Sequence, residues 1–204
     1  MRIRVNTLFV VVCLISAATA SSNELSRTFP AMAGHQAEFT HSFTPKGFKT
    51  AQVEKGSVVF GAPPMMRWSY VAPDEKLFVF DGATSWLYSR DDQQVTVHKL
   101  TDEHKKSLPF LFLTDSKRVG SYYRIRERAS GIFVVTTLKA LDKKAAVQEI
   151  EALFSSSDYL IRKLDYVDRQ GNRTVFEFNG FRRTKTTADT FRFVPPAGVE
   201  VVKN

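Results

Sequence analysis

Cysteine is almost missing from this chain: Cys13 is the only one in 204 residues. It lies in an N-terminal leader, so the mature protein is expected to carry no disulfide, no thiolate nucleophile and no cysteine-ligated metal. The leader reads from Arg2 and Arg4, the apolar run Leu8 to Ile15, and the A-x-A site Ala18-Thr19-Ala20. Residues 1–20 are therefore expected to be a cleaved signal peptide, with the mature start at Ser21. Cys13 follows Val12 inside the apolar run, which is not the setting of an acylated lipoprotein cysteine. The run is too short to span a bilayer, and no later stretch approaches that length. Residues 21–204 are read as one domain, large enough to bury a core without covalent staples.

Concentrated positive charge is also missing. Loss of Arg2 and Arg4 lowers the formal net charge from +8 to +6, and the remaining cations are scattered: Lys105-Lys106, Arg124, Arg126, Arg128, Lys143-Lys144, Arg182-Arg183. Export and the lack of any aromatic RNA-binding signature argue against nucleic acid as a partner. Attraction to acidic partners or an anionic membrane surface is compatible with this charge. The motifs of catalysis are absent too: no G-x-S-x-G elbow, no Walker loop, no dinucleotide fingerprint. His35, His41, His98 and His104 show no zinc-binding spacing and read as surface or strand-face residues. Asp74-Glu75 and Asp91-Asp92 are paired acids, but both fall in tight turns, where Asp serves the backbone. No catalytic residue, metal or cofactor is assigned. A hydrolase using Asp91 or Asp92 is the one enzymatic alternative.

Apolar alternation is what the chain does have. Seventeen Phe occur, many on one face of an expected strand: Phe39, Phe43, Phe60, Phe133, Phe176, Phe178. Strand signals recur every eight to twelve residues, the rhythm of an all-β barrel or sandwich. Ala37-Phe39-His41-Phe43 alternate with polar residues, then Pro45-Lys46-Gly47 turns the chain. Val58 and Phe60 share a face, Pro63-Pro64 breaks the run, and Met66, Trp68 and Tyr70 alternate with Arg67 and Ser69. Leu77 to Phe80 ends at Asp81-Gly82, a hairpin signal. Ser85 to Tyr88 and Val95-Val97 follow. Further strands are expected at Tyr122-Ile125, Ile132-Leu138, Ala146-Phe154, Leu160-Val167 and Thr174-Phe178. The chain closes with Phe191-Arg192-Phe193 and Pro195-Pro196-Ala197-Gly198.

Two segments break this rhythm. Leu25, Phe29 and Met32 form one helical stripe that Ser22 or Asn23 can cap. Pro30 predicts a kink there, or a restart with Thr28 as cap. Thr101 to Arg118 contains Leu108-Pro109-Phe110-Leu111-Phe112-Leu113, a short helix or loop suited to lie across a hydrophobic opening. A curved sheet with a Phe- and Met-lined face under an apolar flap describes a groove for acyl chains.

At these residues the chain resembles the periplasmic lipoprotein-carrier family LolA. The matching segments are Ala37-Glu38-Phe39-Thr40; Gly56 with its apolar strand, Pro63 and Trp68; Pro73-Asp74-Glu75; Asp81-Gly82; Trp86-Leu87-Tyr88; Gln94; Leu108-Pro109-Phe110; and Phe191 to Val199. Between residues 120 and 185 the match lies mainly in strand pattern. The resemblance implies a mainly β fold with short helices: an unclosed antiparallel half-barrel covered by a helical lid. It implies a periplasmic monomer without a cofactor that encloses the acyl chains of lipoproteins. An inner-membrane ABC transporter would release this cargo to it, and an outer-membrane acceptor would receive it. By position, the cavity lining would be Phe39, Val58, Phe60, Met66, Trp68 and Tyr70, and the lid Leu25, Phe29, Phe110, Leu111 and Leu113. The alternative is a lipid-transfer or sensor protein of the same fold with another acylated or glycolipid cargo. One departure stands out: where the family has a lid-binding Arg before Pro, this chain has Ala62, so closure is expected to rest on apolar contact. Arg67, next to Trp68, is expected on the opposite face.

Overall fold

The computed structural model describes residues 25–62, 65–99 and 116–203. The expected signal peptide, the expected Ser22 or Asn23 cap, Pro63-Pro64, and Phe110, Leu111 and Leu113 of the expected lid lie outside the described residues. An α-helix, α1 (Leu25–Met32), leads into β1 (His35–Thr44), β2 (Gln52–Phe60), β3 (Met66–Ala72), β4 (Lys76–Phe80), β5 (Thr84–Ser89) and β6 (Gln94–Lys99). A further helix, α2 (Ser116–Tyr122), precedes β7 (Tyr123–Ser130), β8 (Phe133–Ala140), β9 (Val147–Ser155), β10 (Ile161–Asp168) and β11 (Arg173–Arg183). A 3-10 turn (Ala188–Phe191) and β12 (Glu200–Lys203) follow.

Among the described residues, all twelve strands belong to one sheet in the order β12-β6-β5-β4-β3-β2-β1-β11-β10-β9-β8-β7. Two antiparallel meanders, β1–β6 and β7–β11, are joined where β1 pairs with β11. Near that seam β11 carries a bulge, with Gly180 at φ 60°, a conformation glycine adopts without steric cost. Such bulges bend a sheet, and the sheet stays open, with β12 and β7 at its edges. This is the unclosed, mainly β architecture expected.

One hydrophobic cluster occupies the inner face, drawing on Phe39, Trp68 and Phe80 from one meander and Leu138, Ile150 and Phe154 from the other. Leu25, Phe29 and Met32 of α1 and Val119 of α2 close over it. The helical stripe thus lies where its spacing predicts. Pro30 does not restart α1: the helix runs through it without a break, and Thr28 is buried within it rather than capping it. Proline forfeits only one backbone donor here, while the stripe buries three large side chains.

Strand boundaries differ in three places. Tyr122 ends α2 instead of opening a strand. Ile132 is exposed in the turn before β8, beside Gly131 at φ 61°. Phe191 closes the 3-10 turn, and β12 pairs in parallel with β6, a pairing no sequence signal announces. Of the alternating phenylalanines, Phe43 and Phe133 are only half-buried.

The outer face of β3–β6 has a core of its own. Arg67, Val79, Trp86 and Val97 stand opposite one another, and Tyr88 stands opposite Val95. Residues 188–203 cross this face. Phe191 is buried against Gly61, where an added Cβ would lie 2.6 Å from its ring. Phe193 meets Tyr88 at 6.0 Å between centroids, and β12 extends the sheet beyond β6. Arg67 does point outward, donating to the Thr190 carbonyl at 3.4 Å.

Candidate functional site

The inner face is built by register. Phe39 stands between Gly56 and Phe178, Trp68 between Val58 and Phe78, and Met66 between Phe60 and Phe80. Gly56 leaves a gap between β1 and β3 that the Phe39 ring fills; a Cβ there would lie 2.8 Å from Phe39 Cζ and 2.1 Å from the Ser69 carbonyl oxygen. Phe39 consequently meets Trp68 at 5.0 Å and Tyr70 at 4.9 Å, both edge to face. Trp68 extends the edge contacts to Phe176 and Phe178. These offset aromatic arrangements are favourable beyond their burial alone.

The structure brings the six residues assigned to a lining onto this one face. Phe39, Val58, Phe60, Met66 and Trp68 are buried, and Tyr70 is partly buried. The face is therefore covered, and α1 supplies part of the cover through Leu25 and Phe29. Polar contacts fix α1 as well. The Leu25 backbone N–H donates to Glu127 Oε1 at 2.8 Å, a carboxylate at the helix N-terminus. Arg27 donates to the Tyr159 hydroxyl at 2.8 Å and lies over the Tyr159 ring. The helical part of the cover is thus not held by apolar contact alone.

At the other end of the same face the aromatics give way to a charged group. His41 stacks on Phe176 with ring centroids 4.2 Å apart and 2° between planes, and meets the Tyr70 ring at 6.3 Å. Its Nδ1 lies 2.9 Å from Glu54 Oε2, and Lys76 Nζ donates to Glu54 Oε1 at 2.7 Å. Burial depresses the His41 pKa despite the hydrogen bond to Glu54. Burial pushes the Glu54 pKa up, but the Lys76 and His41 hydrogen bonds outweigh it, so the group titrates below its usual range. The hydrogen bond to Glu54 holds Lys76 cationic. Burial, and then the Glu54 charge, push the Tyr70 hydroxyl up. His41, Glu54 and Lys76 border an open cavity of about 650 Å³, lined also by Phe43, Gln52, Val53, Pro73 and Asp74.

Sequence alone makes His41 no more than a strand-face histidine. A turn centred on Gly47 and Phe48 would set it opposite Glu54, as observed. Lys76 needs two further registers and cannot be placed from sequence. The acid pairs sit in exposed turns: Asp92 accepts from Ser89 Oγ at 2.7 Å, and Glu75 pairs with Arg90.

Known proteins share this architecture and sequence. The solved structure of an uncharacterized conserved protein from Thermus thermophilus matches with a TM-score of 0.55 and 14% identity, over 89% of this chain and 97% of that one. MucB matches with a TM-score of 0.53 and 16% identity, over 91% of this chain and 66% of that one. Likeness at this identity concerns the fold alone. Sequence relatives are closer. The outer-membrane lipoprotein carrier protein of Xanthomonas campestris pv. campestris (strain B100) is 29% identical over 191 residues, covering 92% of this chain and 90% of the relative. The protein of the same name from Vibrio campbellii (strain ATCC BAA-1116) is 30% identical over 192 residues, covering 92% and 89%. The family model described as outer membrane lipoprotein carrier protein LolA matches residues 31–194, from the end of α1 through the 3-10 turn. The chain belongs to the LolA family.

Proposed function

We propose that this protein is a periplasmic chaperone that carries lipoproteins from the inner to the outer membrane, their acyl chains held against the inner face of the sheet. The observation that carries the reading is the aromatic face itself: Phe39, Val58, Phe60, Met66, Trp68 and Tyr70 form one continuous patch under a short helix. Two relatives named as lipoprotein carriers, matched over about nine-tenths of their length, support it. An ABC transporter would load the carrier and an outer-membrane acceptor would unload it.

The energetics favour such a device. Three acyl chains of about fifteen methylenes each, at roughly 0.8 kcal/mol per CH₂, cost on the order of 35 kcal/mol in water. Release requires that protein binding stay weaker than membrane insertion. An open sheet with a removable cover meets that condition better than a closed barrel. Loading displaces α1 and whatever else covers the patch, and acyl chains take over their apolar contacts. The protein acts by binding rather than catalysis, and its acid pairs serve turns.

The test is mass spectrometry of the mature protein recovered from its native periplasm under non-denaturing conditions. Co-purifying acylated lipoproteins are expected, in lower yield from Trp68→Leu. Recovery without acylated species, or with a glycolipid in their place, would overturn the reading.

A further inference from the structure

The end of the sheet where β1 turns into β2 carries features that the acyl-chain reading does not use. Among the described residues Phe48 is the only exposed phenylalanine, at 69%; the others are buried or half-buried. It stands in that turn between Lys46 and Lys49. The turn is held in place. The Phe48 N–H donates to the Pro45 carbonyl at 3.0 Å, and the Lys46 N–H donates to Asn172 Oδ1 at 3.0 Å. A lone exposed apolar side chain needs no explanation. A phenylalanine fixed at a turn between two lysines, with further cations around it, has the composition of an interaction surface.

The antiparallel register brings two further turns to the same end, one after β8 and one after β10. Arg169 ties them together by donating to the Lys144 carbonyl at 3.1 Å, and Asn172 ties the second to Lys46. Neighbouring turns lie two strands apart, about 10 Å, so the three form one rim. It holds Lys46, Lys49, Lys143, Lys144 and Arg169, all exposed and none in an ion pair among the described residues. Only two carboxylates accompany them, Asp142 and Asp168, and each accepts a backbone N–H of its own turn. Leu141, 53% exposed, adds a second apolar side chain. Two other turns at this end, after β3 and β5, carry Asp74, Glu75, Asp91 and Asp92 with Arg90. Charge therefore divides the end into a basic half and an acidic half. The open cavity beside His41 and Phe43 lies where they meet.

We propose that the basic half of this end docks on an anionic lipid bilayer, with lipid phosphates against its lysines and Arg169 and the Phe48 ring in the headgroup boundary. Basic side chains beside an exposed apolar one are the combination that binds such a surface. The rim consists of turns, whereas the strand edges a peptide could pair with are β12 and β7. Its cations spread over about 20 Å, which suits a broad charged surface better than a peptide. The acidic half is held off the bilayer, and this fixes the tilt of the sheet. The purpose of docking rests on the carrier reading: it sets the mouth of the groove against the membrane that supplies or receives acyl chains.

Vesicle co-sedimentation of the mature protein at low salt tests the docking. Vesicles of equal parts phosphatidylglycerol and phosphatidylcholine should bind it about tenfold or more tightly than phosphatidylcholine alone. Lys46→Gln combined with Lys49→Gln should lose about twentyfold, at about fivefold per basic side chain near the surface. Arg128→Gln combined with Arg183→Gln removes the same charge at the opposite end of the sheet and should change binding by no more than about twofold. Insertion is read separately, by an environment-sensitive dye on Phe48→Cys and on Ile132→Cys, the latter exposed at the opposite end. Only the dye at 48 should shift to the blue on the mixed vesicles. Equal binding to both kinds of vesicle, equal losses in the two double variants, or a shift at 132 without one at 48 overturns the docking. Absence of vesicle binding also overturns it, and retention on polyglutamate that is lost in the lysine variant would then assign the rim to an acidic protein. None of these outcomes involves cargo, so the docking can fail while co-purification of acylated lipoproteins still supports the carrier reading.

Discussion

Phe29 and Phe191 are both buried phenylalanines covering opposite faces of the same sheet, and they are held by different means. Phe191 sits in a slot made by Gly61, and the chain that carries it continues to β12, which is hydrogen-bonded into the sheet. Phe29 belongs to an eight-residue helix that lies on the sheet without joining it. Beyond its apolar stripe, α1 is tied by the Glu127 carboxylate at Leu25 and by Tyr159 at Arg27. Helices this short are not stable alone and depend on the surface they cover. The outer cover is part of the sheet's architecture. On the proposed carrier reading, the inner one leaves while the sheet stays folded.

The most severe way to break this comparison is Trp68→Asp. An unpaired carboxylate would enter the centre of the inner face, at a cost above about 3 kcal/mol. Thermal unfolding should show a large drop, and any folded fraction should have lost acyl binding. A folded variant that keeps its cargo would remove Trp68 from the binding face.

A matched pair sharpens the comparison. Phe191→Ala should cost about 3–5 kcal/mol in global stability, the usual loss for a buried phenylalanine, because the outer cover opens only with the sheet. Phe29→Ala should cost less than half of that in denaturant melts, because the helix it anchors opens locally first. It should also speed acyl uptake, whereas Phe191→Ala should leave uptake by the folded protein unchanged. Equal losses would mean that α1 is as integral as β12.

The polar tie to α1 is a smaller lever. Glu127→Gln weakens a charge-assisted bond to an amide bond and should cost about 1 kcal/mol or less, seen as faster amide exchange across residues 25–32. Acid dependence should be comparable. His41 titrates below its unfolded value, so the folded state resists its protonation. The His41 contribution is therefore complete above about pH 6.5 and declines as pH falls through the folded pKa. In His41→Phe this decline should vanish from melts taken across that range.

Much of the inner face is legible in sequence because it obeys period two. Ala37 with Phe39 and Met66 with Trp68 enclose the polar Glu38 and Arg67, Val58 with Phe60 keep the same spacing across Val59, and all six are buried. The α1 stripe is legible for the same reason at a period of 3.6. The outer core is not. Val79 reads as part of a wholly apolar strand, and nothing local says that Phe191, over a hundred residues later, covers the face it shares. The four residues of β12 carry no alternation strong enough to announce a parallel pairing with β6. The charged end of the groove depends on register across β1, β2, β3 and β4 together, so each of its members looks ordinary alone. Ala62 says nothing about the ties that hold α1, which come from Glu127 and Tyr159, distant in sequence.

The near absence of cysteine makes the central claim directly measurable, since Phe29→Cys and Phe191→Cys each give the mature chain one thiol. Labelling rates under native conditions report how often each cover opens. The thiol at 29 should react fast, independently of low denaturant, and its rate should change when an acylated ligand is added. The thiol at 191 should react only at the rate of global unfolding. Equally slow labelling at both positions, with no ligand effect specific to 29, would contradict a removable inner cover.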